Sequence, residues 1–265
     1  MSLSIDHSII ISMNSNTLYA LDFDGVICHS AIETAGTSWM AAQALWPDMQ
    51  DEAITEARIE AFVKMRPCLE VGYEAPLIMR LLHQNIDLDV ECSNYHAQMQ
   101  NLLTENDFNK DALQMLFGRI RDNLIEQDET QWLSKNPLFD GVADKLRNLN
   151  KEDWLIITTK QERFVKKTLQ GNHIELADDR LFGLDRKLSK QAVLEKLVEK
   201  YPEREIIFVE DRLPTLLGVQ ENPALSSVKL QLVDWGYNTS SQQQIARQNG
   251  IEVIGLESFL TAAKV

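Results

Sequence analysis

The stretch "LYALDFDGVICHSAIET", residues 18–34, begins as an apolar strand and ends on two carboxylates, Asp22 and Asp24. Side chains alternate between the two faces of a strand, so Asp22 and Asp24 project to the same side where the strand ends. Two carboxylates this close bind a cation, shift a pKa, or lie in a turn where water separates them. Gly25 then allows the chain to bend away. The stretch predicts a cation site or a solvated strand end, since Asp and Gly are common turn residues.

The chain has 265 residues, of which 44% are hydrophobic, and a formal net charge of −14. This length and apolar fraction predict an ordinary soluble globular protein, built as one large domain or as a core with an inserted module. The negative charge argues against nucleic acid and anionic membranes as partners, because its field repels polyanions. A small anionic substrate is compatible with it, provided that a cation or placed Lys and Arg side chains supply a local counter-charge.

Cysteine usage and the N-terminal region predict a cytoplasmic protein. Cys28, Cys68 and Cys92 are odd in number and widely spaced, which fits neither a disulfide framework nor a zinc cluster. The run "HSIIISM" (7–13) is too short for a signal-peptide core or a membrane span. A reducing cytosol is therefore the expected compartment.

After residue 150 the chain alternates short apolar runs with helical stretches. The apolar runs are "WLIIT" (154–158), "EIIFVE" (205–210), "VKLQLVDW" (228–235) and "IEVIG" (251–255). Continuous apolar runs are typical of strands buried on both faces, and the helices between them make βαβ units. Together with "LYALDF" they predict an α/β fold with a doubly wound parallel sheet and helices on both sides.

The interval between the first two predicted strands contains helical patterns and no good strand. Apolar residues recur at three- and four-residue spacing in "EARIEAFVKM" (56–65), "EAPLIMRLLHQ" (74–84) and "KDALQMLFGRIRDNLI" (110–125). The chain therefore predicts a helical module over 33–135, inserted into a core formed by 1–32 and 136–265.

Polar side chains follow three of the predicted strands at the point where each strand ends. They are Asp22 and Asp24, then Thr158, Thr159 and Lys160, and finally Glu210 and Asp211. Ligands of an open parallel sheet bind at the carboxyl ends of its strands, so these side chains are expected to meet. Acids and a hydroxyl at one sheet edge suit a hard divalent cation together with a phosphate.

The order of these motifs resembles the haloacid dehalogenase superfamily of hydrolases. Its phosphatases carry an Asp-x-Asp motif, a Thr or Ser that ends the second strand, a downstream Lys and a later acidic pair. The matching stretches here are "DFDGV", "IITTK", "RKLSKQAVL" and "FVED". The "DWGYNT" stretch resembles phosphoglycolate phosphatase-like members, and with "MRPCLEVGYEAPLIMRLL" and "FVEDRLPTL" it resembles cyanobacterial and plant plastid hydrolases. The resemblance spans 18–255 and implies a Rossmann-like core under a helical cap.

The resemblance implies a role for each catalytic side chain. Asp22 would be the nucleophile that attacks phosphorus to give an aspartyl phosphate. Asp24 would protonate the leaving alcohol and then activate the hydrolytic water. Thr158 would hydrogen-bond the transferring phosphoryl oxygens, and Lys190 would neutralise their charge.

The resemblance also implies a Mg²⁺ cofactor. Its ligands would be the Asp22 carboxylate, the Asp24 backbone carbonyl and Asp211, with Glu210 as a further ligand or as a partner of a ligand. Thr215 departs from the superfamily pattern, because an acid usually stands at that position. This departure predicts a more weakly held metal.

Substrate contacts are expected from Phe23, Thr159 and Arg66. Arg66 lies in the predicted cap, although an Arg on an amphipathic helix is usually solvated. Lys187 competes with Lys190 for the phosphate role, and Lys190 is favoured because it directly precedes the helical "QAVLEKL". His29 stands where such proteins often have Asp, and a lone His at a loop start is usually a solvated or capping residue.

These features predict a Mg²⁺-dependent phosphomonoesterase for a small phosphorylated metabolite. One alternative is a phosphotransferase of the β-phosphoglucomutase kind, which uses the same four motifs. The other is a catalytically retired member that binds a partner or ligand through the cap, which the Thr215 departure keeps open.

Overall fold

A six-stranded parallel sheet forms the centre of the structure, a computed structural model that describes residues 16–261. The "HSIIISM" run (7–13) lies outside the described residues, as do the ends of the predicted core at 1–15 and 262–265. The strands, in chain order, are β1 (Thr17–Leu21), β2 (Trp154–Ile157), β3 (Leu181–Phe182), β4 (Glu205–Glu210), β5 (Lys229–Val233) and β6 (Glu252–Ile254).

The strand order is β3-β2-β1-β4-β5-β6, and every neighbouring pair is parallel. β1 lies in the middle, where Leu21 aligns with Ile156 of β2 on one side and with Val209 of β4 on the other. Apolar side chains from both faces of the sheet pack against helices in two separate clusters. The prediction of a doubly wound parallel sheet is therefore confirmed. β3 was not predicted, because two residues are too few to show a pattern.

Helices make up most of the remaining structure. Those within residues 31–134 are α1 (Ala31–Leu45), α2 (Glu56–Lys64), α3 (Ala75–His83), α4 (Tyr95–Glu105) and α5 (Lys110–Ser134). Those after α5 are α6 (Val142–Asn148), α7 (Glu162–Gly171), α8 (Lys190–Lys200), α9 (Leu213–Gln220), α10 (Ser240–Gln248) and α11 (Leu256–Thr261). Within residues 16–261, none of the helices combines the length and the apolar composition that crossing a bilayer requires.

The helices α1 to α5 form a helical insertion, residues 31–134, between β1 and β2. The insertion has a hydrophobic cluster of its own, whose largest members include Trp39, Phe62, Tyr95 and Phe117. The predicted helical insertion is confirmed, and its first helix already begins at Ala31. The division of labour between a catalytic core and a cap with limits at 33–135 stays a prediction.

A buried ion pair joins α1, the first helix of the insertion, to α5, its last helix. Glu33 of α1 accepts hydrogen bonds from Nε and Nη2 of Arg121 on α5, at 2.9 and 2.7 Å. Thr37 and Trp132 donate two more to the same carboxylate. Burial alone would raise the pKa of Glu33, but Arg121 outweighs it and lowers the pKa. The carboxylate is therefore fully paired, as a buried charge must be.

The expectation for the cysteines is wrong in one respect. Cys68 and Cys92 form a disulfide bond, with Cα atoms 5.4 Å apart. An odd number of cysteines excludes complete pairing but not a single bond, and the fold brings together two residues that are 24 positions apart in sequence. Cys28 is a free, buried thiol. The disulfide removes the cysteine argument for a reducing compartment.

Candidate active site

Three acidic side chains meet where β1 and β4 end side by side. Asp22 follows β1, Glu210 is the last residue of β4, and Asp211 follows it. One carboxylate oxygen from each lies within 4.8 Å of the others, and all three residues are buried. β1 and β4 flank the point where the strand order reverses, which is where open α/β sheets form their binding crevice.

Lys190 lies at the start of α8 and bridges two of these acids. Its Nζ atom donates to Oδ1 of Asp22 and to Oε2 of Glu210, both at 2.6 Å. Ser189 caps α8 by accepting a hydrogen bond from the backbone N–H of Ala192, which fixes the helix start beside the acids. Lys187 is exposed and does not line the cleft.

The charges of the acidic cluster are not balanced by this lysine. Burial raises the pKa of Asp22 to about 7, and nearby Glu210 adds to the rise that Lys190 opposes. Burial and Glu210 also raise the pKa of Asp211. Three carboxylates facing one ammonium leave an excess of negative charge, which a cation would relieve. The oxygen donors and the charge therefore fit a hard divalent ion such as Mg²⁺.

Asp24 has a separate lysine partner. Nζ of Lys160, which follows β2, donates to Oδ1 of Asp24 at 2.8 Å. Burial would raise the pKa of Asp24, but Lys160 and Arg66 outweigh it and lower the pKa to about 2. Lys160 was expected at the end of its strand but without a role, although its position next to Thr158 and Thr159 was the signal for one.

The loop after β1 makes room for Asp211. Gly25 has φ +92°, and a Cβ atom built there would lie 1.9 Å from Oδ2 of Asp211. The same oxygen accepts a hydrogen bond from the backbone N–H of Tyr237, at 2.8 Å. The Tyr237 hydroxyl in turn accepts from the backbone N–H of Ala31, at 2.9 Å. Loops after β1, β4 and β5 thus meet around one carboxylate. Tyr237 was expected only as part of the "DWGYNT" resemblance.

Three other residues were expected to contact phosphate or substrate, and their surroundings differ. They are Thr158, Thr159 and Phe23. Thr158 is buried, lines the cleft and accepts a hydrogen bond from the backbone N–H of Lys160. The Thr159 hydroxyl lines the cleft too but donates to the carbonyl of Glu70 in the insertion, at 2.8 Å. Phe23 is fully buried in the hydrophobic core. Because this side chain does not line the cleft, the expected Phe23 contact stays a prediction that concerns its backbone.

Arg66 enters the cleft from the insertion. It belongs to a short 3-10 helix, Arg66–Cys68, and its guanidinium lies 4.1 Å from the centre of the Tyr237 ring. Only 5% of Arg66 is exposed, and its Nε has no hydrogen-bond partner. Every other Lys or Arg side chain that lines the cleft within residues 16–261 has a carboxylate partner. The pairs are Lys160 with Asp24, Lys190 with Asp22, Arg121 with Glu33, and Arg212 with Glu70.

The cleft between the sheet edge and the insertion has a volume of about 690 Å³, which suits a small molecule. Thr215 lies at its edge, with its hydroxyl 3.5 Å from Nη1 of Arg212. His29 lies outside the lining, against the rings of Phe139 and Tyr237. Burial, reinforced by Arg66, lowers the pKa of His29, so the imidazole is neutral near pH 7.

Comparisons with known proteins support the fold expected from the motifs. The sequence matches no family model and no curated protein. The structure is similar to a predicted phosphoglycolate phosphatase from Haemophilus somnus, with 14% identity over 95% of this chain and 100% of that one, at a TM-score of 0.57.

Two further structures show the same likeness. A predicted phosphatase from Clostridium acetobutylicum has 13% identity over 93% of this chain and 97% of its own, at a TM-score of 0.53. A protein assigned as a haloacid dehalogenase-like hydrolase from Bacteroides fragilis has 14% identity over 90% and 95%, at 0.52. At these identities the likeness establishes a shared fold. The chain has the haloacid dehalogenase-like fold, and that expectation is confirmed.

Replacing Gly25 by Ala tests the packing around Asp211. Gly250 is the matched control, because it also has positive φ, +74°, but an added Cβ there would meet open space. We expect Gly250→Ala to lower the free energy of unfolding by about 1–2 kcal/mol, the cost of the backbone conformation alone. Gly25→Ala should lower it by roughly a further 1–3 kcal/mol, because its methyl group must displace the Asp211 carboxylate. Denaturant unfolding of both variants measures the difference, and equal losses would contradict the close packing.

Proposed function

We propose that this chain is a Mg²⁺-dependent phosphomonoester hydrolase of the haloacid dehalogenase type, acting in the cytoplasm on a small phosphorylated metabolite. The observation that carries the proposal is the pair Asp22 and Asp24, which line one cleft and are each held by a different lysine. Their environments drive their pKa values apart, as expected of two carboxylates with different tasks. The four motif regions supply side chains to the same cleft, which supports an active enzyme over a retired binding protein.

In the first step, an oxygen of Asp22 forms a bond to phosphorus while the bond from phosphorus to the leaving alcohol breaks. Repulsion between a carboxylate and a phosphate ester opposes this approach, so positive charge is needed at the point of attack. Lys190 supplies it, since its Nζ lies 2.6 Å from Asp22 Oδ1. The Thr158 hydroxyl lies in the same cleft and donates to a phosphoryl oxygen.

Asp24 transfers the proton in both steps. It donates a proton to the leaving oxygen, and then accepts one from the water that cleaves the aspartyl phosphate to inorganic phosphate. A pKa of about 2 keeps Asp24 ionised while Lys160 and Arg66 face it alone. A bound substrate would compete for these two cations, its phosphate ester for Lys160 and its remote group for Arg66, and its negative charge would favour the protonated form of Asp24.

The residues that would hold Mg²⁺ are Asp22, Asp211 and the Asp24 carbonyl, with Glu210 as ligand or as partner of a ligand. The support is the oxygen cluster and its unbalanced charge. Mg²⁺ is commonly bound by one or two carboxylates together with substrate phosphate, and when bound it supplies positive charge to the transferring phosphoryl group.

Arg66 would bind the part of the substrate that is not transferred. It is a buried cation without a carboxylate partner, in a cleft whose other Arg and Lys side chains within residues 16–261 are paired. A buried unpaired cation is unfavourable unless a ligand supplies the counter-charge. This favours a substrate with an anionic or strongly polar group beyond its phosphate ester.

Asp22→Asn tests the nucleophile. We expect kcat for phosphate ester hydrolysis to fall by several powers of ten with the fold intact, because the amide cannot form the aspartyl phosphate. Asp234→Asn is the matched control, since Asp234 directly follows β5 but is exposed, and its activity should be unchanged. Unchanged hydrolysis by the Asp22 variant would contradict the role of Asp22 as nucleophile.

The alternative function, a phosphotransferase, has its own readout. Slow hydrolysis by the wild type, with rapid phosphate transfer that requires a sugar bisphosphate, would favour the phosphotransferase.

Metal binding has a readout that does not depend on activity. A ligand at one hundred times its Kd stabilises the folded state by about 2.7 kcal/mol. Mg²⁺ at this excess over its Kd should therefore raise the thermal midpoint by roughly 5 °C or more. The rise should shrink in Asp211→Asn and persist in Asp234→Asn. A midpoint that does not respond to Mg²⁺ in the wild type would contradict the site.

Arg66→Ala tests the division of labour between the core and the insertion. We expect kcat/KM for the best natural substrate to fall about ten- to a hundredfold, the effect of one charge-assisted hydrogen bond. Hydrolysis of p-nitrophenyl phosphate, which lacks the remote group, should barely change. Lys190→Ala should impair both substrates, and Arg119→Ala, at an exposed position of α5, should impair neither. Equal losses for the two substrates in the Arg66 variant would assign Arg66 to the fold or to the chemistry instead.

A further inference from the structure

The 66–70 segment of the insertion makes contacts with three loops at the active edge of the sheet. Arg66 stacks on Tyr237 after β5. The Glu70 carbonyl accepts a hydrogen bond from Thr159 after β2, and the Glu70 carboxylate lies 3.2 Å from Nη1 of Arg212 after β4. The position of this segment therefore decides where Arg66 stands in the cleft.

The disulfide is attached in the middle of the 66–70 segment. Cys68 is its central residue, and Cys92 lies in the loop 84–94 between α3 and α4. The loop's hydrogen bonds from Asn94 to the Asp87 carbonyl and from Ser93 to the Asp89 carboxylate are internal to it. The covalent bond is thus a direct brace between this loop and the segment that holds Arg66.

The two cysteines of the disulfide differ in how far solvent and reductants can reach them. Cys68 is only 2% exposed, whereas Cys92 is partly exposed on the loop. Cys92 also has φ +64°, a left-handed conformation that non-glycine residues keep only where the surrounding structure holds them. A reductant therefore reaches Cys92 first, and cleavage of the bond frees a residue in an unfavourable conformation.

We propose that Cys68–Cys92 is a redox-active modification site, that its reductant is a dithiol, and that reduction loosens the 66–70 segment. For its effect on turnover the proposal rests on the proposed phosphatase function. In a reducing cytoplasm, enzyme disulfides are mostly transient and serve catalysis or redox sensing. The oxidised form is the one in which Arg66 is held in the cleft.

The exchange is balanced between the protein and the dithiol. One thiolate of the dithiol attacks Sγ of Cys92, the S–S bond breaks, and Cys68 leaves as a thiolate that takes a proton. The second thiolate of the reductant attacks the mixed disulfide, closes the reductant's own disulfide and releases Cys92, which also takes a proton. Two electrons pass from the dithiol to the protein.

Cys28 does not take part in this chemistry. It is fully buried, and burial raises the pKa of its thiol far above the usual range. Its Sγ lies 3.5 Å from the carbonyl oxygen of Asn136. Asn136 is remote in sequence from both Cys68 and Cys92. Thiol–disulfide exchange in the folded chain is therefore confined to the pair Cys68 and Cys92.

The first arm of the test needs no enzymatic activity. The folded full-length protein is treated with dithiothreitol and then with iodoacetamide, and alkylation is expected at Cys68 and Cys92 but not at Cys28. Amide hydrogen exchange over 64–74 should become at least threefold faster on reduction, while exchange over β4 stays unchanged. Equal exchange over 64–74 in both forms would overturn the proposal.

The second arm measures turnover. Reduction should lower kcat/KM for the best phosphorylated metabolite about three- to tenfold, and should leave p-nitrophenyl phosphate unaffected, because only the former reaches Arg66. Cys92→Ser should behave as the reduced wild type and ignore dithiothreitol, whereas Ser93→Ala, in the same loop, should keep the response. Unchanged or higher selectivity after reduction would overturn the proposal. If neither form hydrolyses phosphate esters, the proposed function fails. Amide hydrogen exchange alone then decides whether the disulfide holds the 66–70 segment in place.

Discussion

The crowding of three buried carboxylates around one lysine, where β1 and β4 end together, is the constraint on which the rest of the site depends. The parallel register of the two strands brings Asp22 beside Glu210 and Asp211, and burial raises the pKa of Asp22 and Asp211 because one lysine cannot balance them. A chain shaped only for stability would not place these groups here, so the unfavourable charge points to a site for a cation and an anionic ligand. The tight loop at Gly25 follows from the same constraint, since no side chain fits against Asp211.

The insertion is held to the rest of the chain by contacts of two different strengths. The Glu33–Arg121 pair is buried and carries several hydrogen bonds, so removing one partner would leave a buried charge unpaired. At the substrate-facing edge, half of the Glu70 side chain is exposed where it meets Arg212, and such exposed pairs contribute about 0–1 kcal/mol. The insertion is therefore held strongly at the Glu33–Arg121 pair and weakly at the Glu70–Arg212 pair. In the proposed redox response, the covalent bond at that edge has an effect because the non-covalent contacts around it are weak.

Much of the fold could be predicted from sequence because buried parallel strands give continuous apolar runs. β4 was expected at 205–210 and is observed as Glu205–Glu210. α1 was not predicted, because its buried face includes polar residues such as Glu33 and Thr37 while the apolar Ile32 and Met40 are exposed, so its apolar residues show little periodicity. The aspartates could be found because strand ends converge at one edge. Lys190 begins α8 instead, and it was expected from the resemblance and from its place before a helical stretch. The Glu33–Arg121 pair and the disulfide could not, because each joins residues that only the packing of the insertion brings together.

The two aspartates are one residue apart in sequence, yet the structure gives them different surroundings. Asp22 faces the acids of β4 and Lys190, all of which belong to the core. Asp24 faces Lys160 and the positive field of Arg66, which belongs to the insertion. In the proposed reaction, phosphorus must therefore lie on the Asp22 side and the leaving oxygen on the Asp24 side. The rest of the substrate then extends from Asp24 toward Arg66, beneath the insertion. In the proposed reaction, this direction would let residues of the insertion discriminate between leaving groups while residues of the core carry the phosphoryl chemistry.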